Sequence, residues 1–173
     1  MEKTLSSTLL VLYIITLIWV VLFKLQFDIS TIIHRHQRSF NLIPFSYPSK
    51  AEIILNFLFF IPFGVLLNVV FKKPGFFSKL LFILAFSVTV ELLQYIFSIG
   101  VTDITDLITN GMGGLLGLIL YMMFNAFIDD RKLDKIIVTI GIGLFLIFLF
   151  IQGSHYWSEK LKVESGLRTQ AHI

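Results

Sequence analysis

Residues 80–102 read LLFILAFSVTVELLQYIFSIGVT, and Glu91 is the only charged residue among them. A helix needs ~20 predominantly apolar residues to cross ~30 Å of hydrocarbon, and this stretch supplies them. The pattern repeats on both sides, with uncharged runs at 4–23, 53–71, 107–128 and 136–158. Across the chain 56% of residues are apolar, 14% are charged and the mean hydropathy is +0.86. Soluble domains carry about a quarter charged residues, so a soluble enzyme, a nucleic-acid-binding domain and a disordered chain are all excluded. The expected fold is all-α: a polytopic membrane helix bundle of about five transmembrane helices forming one membrane domain over residues 1–173. The spans fall at about 4–23, 53–71, 80–98, 107–128 and 136–152.

There is no Cys, which removes disulfides, thiol nucleophiles and zinc-thiolate sites. Lys3 followed by an apolar stretch resembles a signal peptide, but the stretch exceeds the usual hydrophobic region and no small-residue cleavage site follows. It reads as an uncleaved first span. In the long connection, Phe27, Ile29, Ile32, Ile33 and Phe40 alternate with His34, Arg35, His36 and Arg38, the pattern of a short interfacial helix. Asn41-Leu-Ile-Pro44-Phe45 and Tyr47-Pro48 then forbid regular helix, so a shallow re-entrant loop, mobile and partly wet, is expected between the first two spans.

The short connections 72–79 and 129–135 carry three Lys or Arg residues each, while the segment from Ser98 to Asp106 carries none. Positive residues in short loops mark the cytoplasmic side, which puts residues 100–106 outside, the N-terminus inside and the C-terminus outside. Basic residues in the long loop and the tail bring the totals level, so the orientation rests on the short loops. The localisation that follows is a multi-pass protein of the cell membrane.

Polar residues inside the spans are the ones that a lipid-facing helix avoids. An acid at helix centre costs roughly 2.5–3.5 kcal/mol on insertion scales and usually faces a bundle interior. Ser87, Glu91, Gln94 and Ser98 fall on one face of the third span. Asp103, Asp106, Asn110, Gly113 and Gly117 follow the same spacing in the fourth. Asp103 can cap that helix, and Gly113-x-x-x-Gly117 admits a second backbone, from this chain or from another copy. In the second span Asn56 lies a turn inside and Pro62 interrupts the ladder at Leu58, with Gly64 and Asn68 beyond. The first and fifth spans are almost purely apolar, which suggests a three-helix polar heart wrapped by two lipid-facing helices.

The series Asn41-Leu-Ile-Pro44-Phe45, Asn56 with Ile61-Pro62-Phe63-Gly64, Glu91-x-x-Gln94, and Asp103-Ile-Thr-Asp106-x-x-x-Asn110-x-x-Gly113 resembles the VanZ-like family over about residues 40–121. These are small bacterial integral membrane proteins, named for a member linked to teicoplanin resistance. Many relatives carry an Arg just upstream of the paired acids, where here Gly100-Val-Thr leads into Asp103. His34, Arg35 or Arg38 is the candidate to serve in its place.

The resemblance implies action on an amphiphile of the bacterial envelope at the cytoplasmic membrane. The implied partners are membrane lipids, with a lipid-linked wall precursor or a lipoglycopeptide as ligand, and no nucleic acid. The candidate ligand-binding residues are Asn41, Asn56, Gln94, Asp103, Asp106 and Asn110, with Glu91 as the candidate general base if a reaction occurs, since desolvation raises a carboxyl pKa. No metal site is assigned, paired acids at a helix start being caps more often than oxygen ligands, and the cofactor is left open. A proton-coupled carrier and an assembly partner for another membrane protein are the alternatives, with Gly113 and Gly117 as the contact of a homo-oligomer.

Overall fold

The computed structural model describes residues 2–23, 39–46, 49–97 and 101–170. In chain order these form α1 (Glu2–Phe23), β1 (Ser39–Asn41), α2 (Lys50–Val70), α3 (Phe76–Phe97), β2 (Val101–Asp103), α4 (Ile104–Asn125) and α5 (Asp130–Gln170). The fold is all-α apart from two three-residue strands. All five helices contain a span long and apolar enough to cross a membrane. Of the expected interfacial helix from Phe27 to Phe40, residues 27–38, with His34, Arg35 and Arg38, lie outside the described residues, as does Ser98.

The helix starts follow from capping. Ser49 Oγ accepts the Glu52 N–H (3.2 Å) while Glu52 Oε2 accepts the Ser49 N–H (3.0 Å), so α2 begins ahead of its apolar run. Asp103 caps α4 by accepting the Thr105 N–H at 2.8 Å.

The contacts divide the chain into a unit at Met1–Leu133 and another at Asp134–Ile173. The second unit is the body of α5, a long helix whose Leu144, Ile147, Phe150 and Ile151 are exposed. In the first unit α4 lies between α2 and α3. Its α2 side is made of glycine: a Cβ on Gly117 would stand 2.1 Å from the Ile61 carbonyl oxygen, and one on Gly113 2.2 Å from that of Phe57. The facing glycine of α2, Gly64, would meet the Gly114 carbonyl at 2.2 Å. Only hydrogen fits at these positions, which is how two helices approach in a membrane without a hydrophobic drive. Between α2 and α3 the gap is filled by aromatic rings, with Phe63 and Phe86 5.0 Å apart and Phe60 and Phe63 edge to face at 5.9 Å.

Two features differ from the sequence reading. Phe40, expected in the interfacial helix, and Asn41, expected in the loop after it, lie in a strand: β1 pairs in parallel with β2, Ser39 opposite Val101 and Asn41 opposite Asp103. With Pro44 denying helix, this ladder supplies the backbone partners that a segment at the membrane boundary must find. The first span is also more than a lipid-facing wrap. Leu9, Leu10, Leu17, Val20 and Val21 of α1 are buried, and the Tyr13 hydroxyl donates to the Phe59 carbonyl at 2.6 Å, beside the Pro62 break in α2.

Candidate functional site

At the end of the first unit where α3 finishes and α4 begins, β1 and β2 bring three segments together. Asp103 is the junction. Its backbone N–H donates to Glu91 Oε2 (3.1 Å), and its side chain accepts the Asn41 amide at Oδ2 (2.8 Å) as well as its own capping N–H at Oδ1. Asn41 is fixed in turn, because its Oδ1 accepts the Ile43 N–H (3.1 Å) and the Ser46 hydroxyl (3.1 Å). Thr102 Oγ1 donates to the Glu91 carbonyl (3.2 Å), tying β2 to the last turns of α3.

One turn into α4, Asp106 accepts the Asn56 amide of α2 at 2.7 Å. One turn further, Asn110 donates to Ser87 of α3 at 2.9 Å. Gln94 donates to the Val21 carbonyl of α1 at 2.9 Å. Asp106, Asn110, Gln94, Ser87 and Thr105 are fully buried, and Glu91, Asn41 and Asp103 are 5% exposed or less. Of the seven candidate residues, Asn41, Glu91 and Asp103 share one set of bonds and Asn56 pairs with Asp106, while Asn110 and Gln94 bond to Ser87 and the Val21 carbonyl. The expected single face of α4 splits, however: Asp106, Gly113 and Gly117 turn to α2, and Asn110, Gly111 and Gly114 turn to α3.

The sequence places Asn41 in a mobile, partly wet loop. It is buried instead, and the loop beyond it folds over the site. Phe45 takes φ 60, a left-handed conformation that an aromatic residue rarely adopts, and its N–H donates to Thr105 Oγ1 at 2.9 Å. Leu42, Ile43 and Phe45 project outward as an exposed apolar lip beside the polar cluster.

Thr105 was missed by sequence reasoning although it stands inside the Asp103–Asp106 motif. Threonine at a helix start reads as a local capping residue, and its long-range bond to Phe45 has no sequence signal. Two buried acceptors, Gln94 Oε1 and Asn110 Oδ1, have no hydrogen-bond partner among the described residues. Buried polar atoms of this kind usually meet water or a ligand. Among the described residues no group of three or more His, Asp or Glu side chains is placed to hold a metal ion. Asp103 commits its oxygens to the Thr105 N–H and the Asn41 amide. The cluster thus gathers carboxylate and amide groups in a buried setting, with the exposed lip of Leu42, Ile43 and Phe45 beside it.

The comparisons with known proteins bear on this region directly. The VanZ/LLP1 family profile matches residues 10–125, from the middle of α1 to the end of α4. The chain is 51% identical over 156 residues to Protein VanZ of Enterococcus faecium, a match spanning 90% of this chain and 96% of that protein. No solved structure matches the chain. The profile ends with α4, so the polar cluster and the glycine contacts that hold it fall wholly inside the matched segment, and the chain belongs to the VanZ/LLP1 family.

Proposed function

We propose that this protein acts in the bacterial cytoplasmic membrane on an amphiphilic envelope component, binding or modifying it at the outer membrane–water interface, and thereby contributes to teicoplanin resistance. The observation that supports this reading best is the pairing of a buried carboxylate–amide cluster with an exposed apolar lip at one end of a nearly all-membrane protein. An amphiphile lying in the interface presents both kinds of group at once. Teicoplanin carries an acyl chain that vancomycin lacks, and each buried methylene contributes ~0.8 kcal/mol of membrane affinity. A lipid-linked wall precursor has the same two-part character.

The test is tolerance in a susceptible Gram-positive host. Overproduction is expected to raise tolerance to teicoplanin more than to vancomycin. Equal protection against both drugs would point to altered wall precursors, and no change in either would remove resistance from the function. The orientation has its own check, because the chain has no native Cys. A cysteine at Thr102 is expected to react with an impermeant maleimide in intact cells, and one at Pro74 is not. The reverse pattern would move the site to the cytoplasmic face.

A further inference from the structure

The other end of the first unit holds a second polar cluster of opposite charge. Between Asn56 and Asn68 α2 rises ~18 Å, and between Asp106 and Tyr121 α4 rises ~22 Å, at 1.5 Å per residue. The two clusters therefore stand about a bilayer leaflet or more apart. At this end Asn68 donates to the Leu118 carbonyl (3.1 Å), which turns its Oδ1 to accept the ammonium of Lys79 (2.6 Å). Lys72, one turn after Asn68, donates to the Tyr121 hydroxyl and lies over that ring. Tyr121 reaches Asp130 at 3.3 Å, and Lys72 stands 3.9 Å from the same carboxylate.

The charge balance is uneven. Lys79 is buried, and its partner is a neutral amide; among the described residues no carboxylate lies within ion-pair distance of it. Asp130 pairs with Lys72 and has a side chain 57% exposed, so solvent screens it. A buried ammonium satisfied by one amide is costly unless an anion completes its shell. Lys79 lies in the first turn of α3, where the helix dipole also favours an anion. Exposed Lys73 adds a further positive charge at the same boundary.

We propose that Lys72 and Lys79, positioned by Tyr121 and Asn68, bind the phosphate group of an anionic phospholipid. The cluster sits where the apolar span of α2 ends, and the exposed Phe77 lies in the same first turn of α3 as Lys79. Basic pockets between membrane helices hold acidic headgroups in this way.

The test uses the purified full chain in detergent, offered phosphatidylglycerol and phosphatidylcholine at equal mole fraction and read by native mass spectrometry. The wild type is expected to retain phosphatidylglycerol preferentially. Lys72→Gln is expected to weaken retention about fivefold, and the Lys72→Gln/Lys79→Met double variant by more than tenfold, in line with charge-assisted contacts. Lys72→Arg is expected to keep most of it. Should Lys79→Met fail to yield a monodisperse protein, Lys72→Gln, at a half-exposed side chain, carries the test alone. Equal retention of the two lipids by the wild type, or unchanged preference in Lys72→Gln, overturns the proposal. Displacement of the lipid by low-millimolar inorganic phosphate would assign the lysines to a soluble anion and overturn the lipid as occupant.

Discussion

Replacing Gly117 with Val is expected to remove most of the protein from the membrane. The added Cβ would stand 2.1 Å from the Ile61 carbonyl oxygen, and the atoms it meets are backbone, so no rotamer change relieves the clash. Overpacking against movable side chains costs about 1–3 kcal/mol, and a helix pair forced apart along its contact line exceeds that range. A loss of ~3 kcal/mol is a large share of the stability of an ordinary domain. Moving α4 away from α2 would also pull Asp106 from Asn56, so the polar cluster would be lost with the fold. Gly143→Val is the matched control, since nothing lies within 4 Å of a Cβ at that position. Membrane abundance measured by immunoblot should fall at least fivefold for Gly117→Val and stay near wild type for Gly143→Val. Equal abundance of the two would mean that α2 and α4 do not pack through their glycines.

Asp106→Asn and Glu91→Gln are expected to abolish protection against teicoplanin while leaving abundance near wild type. Both substitutions keep the shape and the acceptor oxygen that the structure uses. The Asn56 amide still finds an oxygen at position 106, and the Asp103 N–H still finds one at position 91. What disappears is the ability to carry negative charge, and a neutral amide in a buried site costs the fold little. Asp106→Leu is the informative contrast. It strands the Asn56 amide, which costs ~1–3 kcal/mol, so abundance and function should fall together. If Asp106→Asn and Glu91→Gln both protect as well as wild type, the cluster is packing between helices and the proposed site fails.

The two polar clusters of the first unit differ in their main charges. Glu91, Asp103 and Asp106 gather at one end, and Lys72 and Lys79 gather at the other. Basic residues gather on the cytoplasmic side of membrane proteins, so the proposed orientation places the lysine cluster inside and the carboxylate cluster outside. The cysteine labelling and the lipid-retention measurements thus examine opposite ends of one arrangement, and either can fail without the other.

The sequence by itself determined the five spans and the identity of the polar residues. Hydrocarbon offers a backbone no hydrogen-bond partners, so each crossing must be a continuous apolar helix and is legible locally. The same constraint makes Asn56, Glu91, Asp106 and Asn110 conspicuous, because each is expensive where it stands. The capping of α4 by Asp103 was legible too, since a cap acts on its own next turn. Only the tertiary structure decided which groups meet. Asn41 finds Asp103 across 62 positions, and Asn56 finds Asp106 across 50. Such pairings are set by helix packing that leaves no periodic trace. The parallel pairing of β1 with β2, the burial of Asn41 under its loop, and the reach of Gln94 to Val21 of α1 are of this kind. So is the fate of Lys79. In the sequence it is one of three basic residues in a short loop and reads as a topology signal. In the fold it is buried against Asn68, because α2 and α3 cross where its side chain is long enough to reach that amide.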